Sequence, residues 1–263
     1  MIGAAAAVAS AVIAMLPVHV PAAGVPATGG FVVQCEFSHA GFVDPIIMPG
    51  HEGMSHLHEF FGNTGTDENS TGASLLVGST TCTEPRDRSA YWVPALYQDG
   101  VRVPPATMLV SYDVSGPGVT AFPTGFMAVA GRTKQTAVWG CLAPGRRPIA
   151  GADIGTPPVC AGRSRLAAQI TFPNCWDGTS LDSPDHISHL AFPQPAKGAA
   201  RVVCPVDHPV PVPRVTVTVI YPAAAKGGSG ISLASGDAST IHADIFQAWT
   251  GTSLQDMIDR KRP

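Results

Sequence analysis

The sequence predicts a mostly β fold, a two-sheet antiparallel sandwich or jelly roll with one short C-terminal helix. Short runs rich in β-branched and aromatic residues recur along the chain, and turn residues separate them; the 263 residues include 28 glycines and 25 prolines. Helical periodicity is convincing only near the C-terminus, and helices do not alternate with strands, which disfavours a parallel α/β fold. Only 13% of the residues are charged, which is typical of a folded chain.

The first 24 residues predict a signal peptide. Residues 4–16 form an apolar run that is too short to span a bilayer comfortably, and small residues around Ala23 and Gly24 suit a signal peptidase. No positive charge precedes the run, so a late start or an uncleaved anchor is the alternative. Residues 25–30 predict a Pro/Gly linker and residues 31–263 a single β domain. We therefore expect a secreted protein, extracellular or cell-wall associated, with no transmembrane segment in the mature chain.

The strongest predicted strand is residues 214–221, where Val and Thr alternate. This pattern gives one apolar and one polar face, as in a half-buried antiparallel strand. The short C-terminal helix is predicted from Leu254, Met257 and Ile258, which share one helical face after a capping Thr252 or Ser253. The other predicted strands are residues 31–37, 91–97, 107–112, 125–130, 137–141 and 166–172.

The cysteines predict three disulfides. The chain has six, none lies in the predicted signal peptide, and no two are spaced as C-x-x-C, so disulfides in an exported chain are favoured over a thiolate zinc site. Many pairings are compatible with six cysteines, and spacing alone does not decide between them. Pairing of nearest neighbours closes the shortest loops and gives Cys35 with Cys82, Cys141 with Cys160, and Cys175 with Cys204.

The charge balance excludes one class of partner. The formal net charge is −3, with 16 lysines and arginines against 19 aspartates and glutamates, so we expect no extended basic cluster. Binding to nucleic acid depends on such a cluster to neutralise phosphates. We therefore expect no nucleic-acid partner.

Two groups of histidines predict a metal site. His56 and His58 are two residues apart, so a strand would place both rings on one face. His186 and His189 are three residues apart and would meet on a helical turn or a bend. Neutral imidazole is a good ligand for zinc and copper. The sequence therefore predicts a divalent transition-metal site, with zinc or copper as the cofactor.

Other residues are expected to complete this site. His208 and His242 are the further candidate ligands, and Asp185, Asp244 and Glu59 are the carboxylates expected to orient the imidazoles. The alternative for the same histidines is a structural network of hydrogen bonds.

Several catalytic classes lack their motifs. A copper-binding histidine brace needs histidine as the first mature residue, whereas the predicted mature chain begins near Gly24 or Val25. The chain contains neither the G-x-S-x-G elbow of α/β-hydrolases nor the H-E-x-x-H helix of zinc proteases. The sequence therefore identifies no reaction type.

Six segments together resemble one known family. They are DPIIMPG at 44–50, SHLHEFFGN at 55–63, SAYWVPAL at 89–96, CWDG at 175–178, DHISH at 185–189 and CPVDHP at 204–209. In order and density they resemble the DUF1996 family of secreted actinobacterial and fungal proteins, from about residue 31 to residue 249. The resemblance implies export and a single domain, and it groups Asp244 and the six candidate histidines into one set. It implies no activity, because the family was defined without a known function.

The resemblance includes one departure from the family pattern. Many members carry a His-Gly-Asp-Phe segment near the end, whereas this chain has His242, Ala243, Asp244, Ile245 and Phe246. The His–Asp pair is retained, and the aromatic residue lies one position later.

Two other functions are compatible with the sequence. One is a cell-wall or polysaccharide-binding or hydrolysing protein, in which His and Asp act as acid and base and aromatic side chains stack on sugars. Its partner would be a cell-wall glycan or another extracellular polysaccharide. The other is a structural or adhesive surface domain. The candidate stacking residues are Trp92, Tyr97, Trp139, Trp176 and Trp249.

Overall fold

The computed structural model describes residues 29–144, 154–196 and 202–262. Within these ranges the chain forms eighteen β-strands, two α-helices and two short 3-10 helices. The predicted mostly β class is confirmed. The predicted signal peptide and most of the predicted linker lie outside the described residues. The first strand begins at Gly30, inside the predicted linker.

The helices are α1 (Gly72–Val77) and α2 (Ser253–Lys261), of which α2 is the predicted C-terminal helix. No helix in the described part of the chain is both long and apolar enough to cross a membrane. The strands are β1 (Gly30–Gly41), β2 (His58–Gly62), β3 (Ala90–Pro94), β4 (Leu96–Gln98), β5 (Val101–Arg102), β6 (Thr107–Asp113), β7 (Met127–Gly131), β8 (Ala137–Leu142), β9 (Arg165–Thr171), β10 (Cys175–Trp176), β11 (Leu190–Ala191), β12 (Gln194–Pro195), β13 (Val202–Val203), β14 (Val210–Pro211), β15 (Arg214–Ile220), β16 (Ile231–Leu233), β17 (Gly236–Asp237) and β18 (His242–Phe246).

Nine strands form one large antiparallel sheet in the order β7-β18-β3-β2-β1-β6-β15-β9-β8. The first half of β1 pairs with β6 and the second half with β2, and the register shifts between Phe37 and His39. Such a bulge bends the strand and increases its twist. The bend divides the sheet into two halves that face each other, which confirms the predicted sandwich. We call β7, β18, β3 and β2 the front sheet, and β6, β15, β9 and β8 the back sheet.

The core lies between the two sheets. Val215, Val217 and Val219 of β15 are fully buried there, as the alternation in the sequence predicts. Tyr91 and Val93 of β3 reach the same core from the front sheet. Apolar side chains from both sheets and from α2 thus form one continuous cluster.

Two elements differ from the sequence prediction. Residues 91–97 form two strands instead of one, because Pro94 has no N–H and Ala95 donates its own N–H to the carbonyl of Leu57. β4 then pairs with β16 in a separate sheet. Strand β18 was not predicted, although its first four residues alternate between polar and apolar types, because the run is short and contains a single β-branched residue, Ile245.

The three predicted disulfides are confirmed with nearest-neighbour pairing. Cys35 bonds to Cys82, Cys141 to Cys160 and Cys175 to Cys204. The first is the most buried, since Cys35 is fully enclosed in the sandwich core.

A buried hydrogen-bond network connects β3, β6 and the segment after β18. The Tyr91 hydroxyl donates to the Asp87 carboxylate at 2.8 Å and lies 2.6 Å from the Tyr112 hydroxyl. The indole N–H of Trp249 donates to Tyr112 at 3.3 Å. Burial raises the pKa of the Asp87 carboxyl to about 6, although the N–H of Ser89 and the Tyr91 hydroxyl donate to it.

We expect the free energy of unfolding to fall as pH rises, because the buried Asp87 carboxyl ionises. Its pKa is higher in the folded chain than in the unfolded chain, so its contribution is fully present below about pH 4 and is lost as pH rises through about 6. The free energy of unfolding falls by about 3 kcal/mol over this range. An Asp87→Asn variant keeps the acceptor for Ser89 but cannot ionise, so relative to the wild type it should gain about 3 kcal/mol between pH 4 and pH 7.

Denaturant unfolding at several pH values measures this effect. Glu52→Gln, which neutralises an exposed carboxylate, is the matched control and should follow the wild-type curve. Parallel stability curves for Asp87→Asn and the wild type would contradict the role assigned to Asp87.

Candidate metal site

The site lies on the outer face of the front sheet, away from the sandwich core. Phe60, Trp92, Asp244 and Val129 form one row across β2, β3, β18 and β7. Because side chains two positions apart on a strand share a face, His58 and His242 lie on this outer face as well. Glu59, between His58 and Phe60, faces the opposite way.

Three histidines meet at this face. The ring centroids of His56 and His58 are 4.1 Å apart, and that of His242 lies 5.3 Å from His56 and 6.0 Å from His58. One ring nitrogen of each residue lies within 4.8 Å of the other two. His56 lies two residues before the start of β2, and its ring still reaches the side occupied by His58.

Backbone carbonyls fix the orientation of two of these rings. The Nδ1 atom of His58 lies 3.0 Å from the carbonyl oxygen of Val43, and Nδ1 of His242 lies 2.8 Å from that of Thr240. A carbonyl oxygen only accepts, so each Nδ1 carries the proton and each Nε2 keeps its lone pair. The Nε2 atoms of His56 and His58 are buried and have no hydrogen-bond partner among the described residues.

The three imidazoles are electrically neutral at neutral pH. Burial lowers the pKa of each ring, and for His242 it lowers the pKa to about 3. The neighbouring His56 and His242 lower the pKa of His58 further, and the positive charge of Arg132 acts in the same direction on all three rings. Neutral imidazole is the form that ligates a metal.

Asp244 adds a buried carboxylate to this group. Its side chain is 1% exposed, and its Oδ2 lies 3.8 Å from Nε2 of His242. Neither of its oxygens has a hydrogen-bond partner in the described part of the chain. Burial raises the pKa of Asp244 well above its usual range, and the nearby Asp44 carboxylate raises it further.

A cavity of about 400 Å³ opens onto the site. Its polar lining includes His56, His242 and Asp244, with Arg132 and Asp185 beside them. A volume of this size lies within the range of small-molecule sites. The remaining lining residues are Asp44, Ile47, Met48, Met54, Ser55, Val129, Ala130, Gly131, Thr133 and Ile187.

The close approach of β7 to β18 depends on Gly131. Its φ is +127°, and a Cβ atom there would lie 2.4 Å from the Cα of His242. A Gly131→Ala variant should therefore displace His242 and destabilise the fold by about 2–3 kcal/mol. Gly118→Ala is the matched control: its φ is also positive at +69°, and no atom lies within 4 Å of the added Cβ.

The control should lose only about 1–2 kcal/mol. Thermal and denaturant unfolding compare the two variants. Equal losses would contradict the packing role of Gly131.

The other three predicted histidines lie outside this group. His189 is bonded on both sides of its ring, to the Ser183 hydroxyl at 2.8 Å and the Met127 carbonyl at 2.8 Å. His186 lies 2.9 Å from the Asp182 carboxylate, and His208 lies 2.9 Å from the Ser188 carbonyl. The segment from 181 to 190 docks along the edge of β7, where the N–H groups of Met127 and Val129 donate to the carbonyls of Leu181 and His186.

The predicted supporting carboxylates have different positions. Asp244 lies in the site. Asp185 lines the cavity, but its Oδ1 accepts from the Ser183 hydroxyl and from the N–H groups of Ile187 and Ser188. Glu59 does not support the histidines, because the alternation of β2 directs it to the other face, where it forms a buried bidentate ion pair with Arg102 at 2.8 and 2.9 Å.

No sequence pattern identifies two of the residues near the site, Arg132 and Asp44, as cavity residues. Arg132 follows the end of β7, and an isolated arginine after a strand has no distinctive pattern. Asp44 is buried and accepts from the N–H groups of Ile46 and Ile47, both at 3.0 Å. From sequence alone this is ordinary turn chemistry.

The family model described as a domain of unknown function, DUF1996, matches residues 44–249, which is most of the chain. The protein belongs to the DUF1996 family. The matched range of this DUF1996 protein contains His56, His58, His242, Asp244 and Arg132. No curated protein and no solved structure matches the chain.

Proposed function

We propose that this DUF1996 protein is an extracellular metal-binding protein in which His56, His58 and His242 ligate one divalent transition-metal ion, zinc or copper. The observation that supports this best is that the buried Nε2 atoms of His56 and His58 have no hydrogen-bond partner among the described residues. Backbone carbonyls hold the rings of His58 and His242 in place beside them. A buried polar atom without a partner is costly, and ligation of a cation would satisfy it.

The distances support a metal ion of this size. Nitrogen ligands of tetrahedral zinc lie about 2.0–2.1 Å from the ion and therefore about 3.3–3.4 Å from one another. The three ring nitrogens lie within 4.8 Å of one another. A small rotation of the rings brings them to ligand distance, and strand pairing of β2 and β18 with β3 limits larger movements.

Residues around the ligands fit the same role. Metal-bound histidine usually donates its other ring N–H to a carbonyl or carboxylate, as His58 and His242 do to Val43 and Thr240. Asp244 brings a carboxyl group next to the neutral imidazole of His242, and no lysine or arginine contacts it in the described part of the chain. A divalent ion would offset the cost of burying this carboxylate.

The three disulfides are consistent with an extracellular location. Export by a cleaved signal peptide is part of the proposal. N-terminal sequencing of the exported protein should then give a start between residues 22 and 28. A chain that begins at Met1 and stays in the membrane would contradict this part.

Metal analysis of the purified, tag-free protein tests the proposal. We expect about one equivalent of zinc or copper per chain, and uptake of about one equivalent by protein stripped with a chelator. No uptake of either metal by folded, oxidised protein would contradict the proposal.

The buried Asp244 next to His242 favours acid–base chemistry as the second candidate function. A carboxyl with a raised pKa beside a neutral imidazole can exchange a proton with a ligand in the cavity. A polysaccharide as that ligand stays a prediction. Trp92, Trp139 and Trp249 are buried in the fold, and the Trp176 indole N–H donates to the Ser180 carbonyl, so these tryptophans do not form an exposed stacking surface.

A further inference from the structure

The mouth of the cavity carries an unusual number of exposed apolar side chains. Ile47 is 42% exposed, Met54 is 65% exposed and Ile187 is 49% exposed, and all three line the cavity. They come from two loops, residues 42–57 and residues 181–190. Exposed apolar side chains grouped around a polar floor are typical of a binding site.

The cavity lining contains one cationic side chain. Arg132 is the only lysine or arginine in the cavity lining, and its guanidinium makes no hydrogen bond or ion pair to another described residue. Its backbone has φ of +61°, a conformation that is costly for a residue other than glycine. The bond from its N–H to the Ile241 carbonyl at 2.8 Å, next to His242, fixes this conformation. The strained backbone thus places a free guanidinium beside the histidines.

The lining disfavours a sugar as the ligand. Apart from the imidazoles it contains no aromatic ring on which a sugar could stack. The carboxylate of Asp185 already accepts three hydrogen bonds through Oδ1. Backbone N–H groups already engage the carboxylates of Asp44 and Asp185. A ligand that fits Arg132 and the exposed apolar side chains has one anionic end and an apolar remainder.

We propose that the cavity binds a carboxylic acid with an apolar chain, whose carboxylate pairs with Arg132 at the histidine site and whose chain packs on Ile47, Met54 and Ile187. The inference deepens the proposed function, because the carboxylate would share its site with the bound metal. A guanidinium recognises a carboxylate through two parallel hydrogen bonds. Each buried methylene of the chain strengthens binding roughly fourfold.

Calorimetric titration of the metal-loaded protein with acetate, octanoate and 1-octanol tests the inference. Octanoate should bind at least about 100-fold more tightly than acetate, since about four methylenes are buried. It should also bind more tightly than 1-octanol, which has the chain without the charge. Equal affinity for acetate and octanoate, or tighter binding of maltose than of octanoate, would overturn the inference.

Two variants test which side chains bind the carboxylate and the apolar chain of the ligand. Arg132→Gln should lower the affinity for octanoate and for acetate by the same factor, roughly 10-fold or more. It should leave the metal content of the protein unchanged. Met54→Ser should lower the affinity for octanoate several-fold and leave the affinity for acetate unchanged. Arg163→Gln and Val77→Ser, at positions outside the cavity, are the matched controls and should change neither. Loss of binding in the controls but not in the cavity variants would overturn the inference.

The outcome is separable from that of the metal proposal. If the protein takes up no metal, the same titrations are made on the metal-free protein. Octanoate binding that depends on Arg132 and Met54 would then support the inference while the metal proposal fails. Metal uptake without octanoate binding gives the reverse result.

Discussion

A double variant, His56→Ala with His58→Ala, is expected to lose at least 100-fold in affinity for zinc or copper and to remain folded and oxidised. Loss of a residue that only orients a ligand already costs about 10- to 100-fold, so loss of two ligands should exceed this. Neither ring belongs to the sandwich core, and all three disulfides lie elsewhere. The fold should therefore survive the change.

His189→Ala with His208→Ala is the matched control. It removes the same number of imidazoles, and both of these rings lie outside the three-histidine group. Metal titration measures affinity, and circular dichroism with a thiol assay measures folding and oxidation. The proposal is contradicted if the control loses metal while the His56 and His58 variant keeps it.

Removal of the buried disulfide is expected to have the largest effect on stability. Cys35 and Cys82 are separated by 47 residues, and the loss of this cross-link from the unfolded chain costs about 4 kcal/mol. The Cys35→Ala and Cys82→Ala double variant should lose at least this much, because Cys35 is also fully buried in the core. The enclosed loop includes His56 and His58, so the disulfide also limits their movement relative to β1.

The matched control is the Cys141→Ala and Cys160→Ala double variant. That disulfide spans 19 residues, for which the same relation gives about 3 kcal/mol. Denaturant unfolding without reductant measures both variants. A smaller loss for the Cys35 and Cys82 variant than for the control would contradict the ranking.

Several strands of the sandwich were predictable because one of their faces meets the core and the other carries polar side chains. β15 shows this alternation clearly in Val215 to Val219. The short strands of the smaller sheets, such as β10 and β14, were not predictable, since two residues carry no periodic signal. β18 was missed because the strand is only five residues long and contains a single β-branched residue.

The candidate site was only partly predictable, because local spacing does not show which distant strands become neighbours. The spacing of His56 and His58 predicts two rings on one side, and they do lie together. The choice of His242 as their neighbour depends on the pairing of β2 and β18 with the same strand β3, which no local pattern encodes. His186 and His189 have a similar spacing signal, yet bonds to Asp182, Ser183 and Met127 engage them elsewhere.

Strand β18 serves the core and the site with alternate residues. His242 and Asp244 face the cavity, while Ala243 and Ile245 face the sandwich core. A slip of this strand by one residue against its neighbours would exchange the two faces. The slipped chain would bury an imidazole and a carboxylate among apolar side chains and would also lack its cavity ligands. Packing of the core and assembly of the site therefore depend on one and the same strand register.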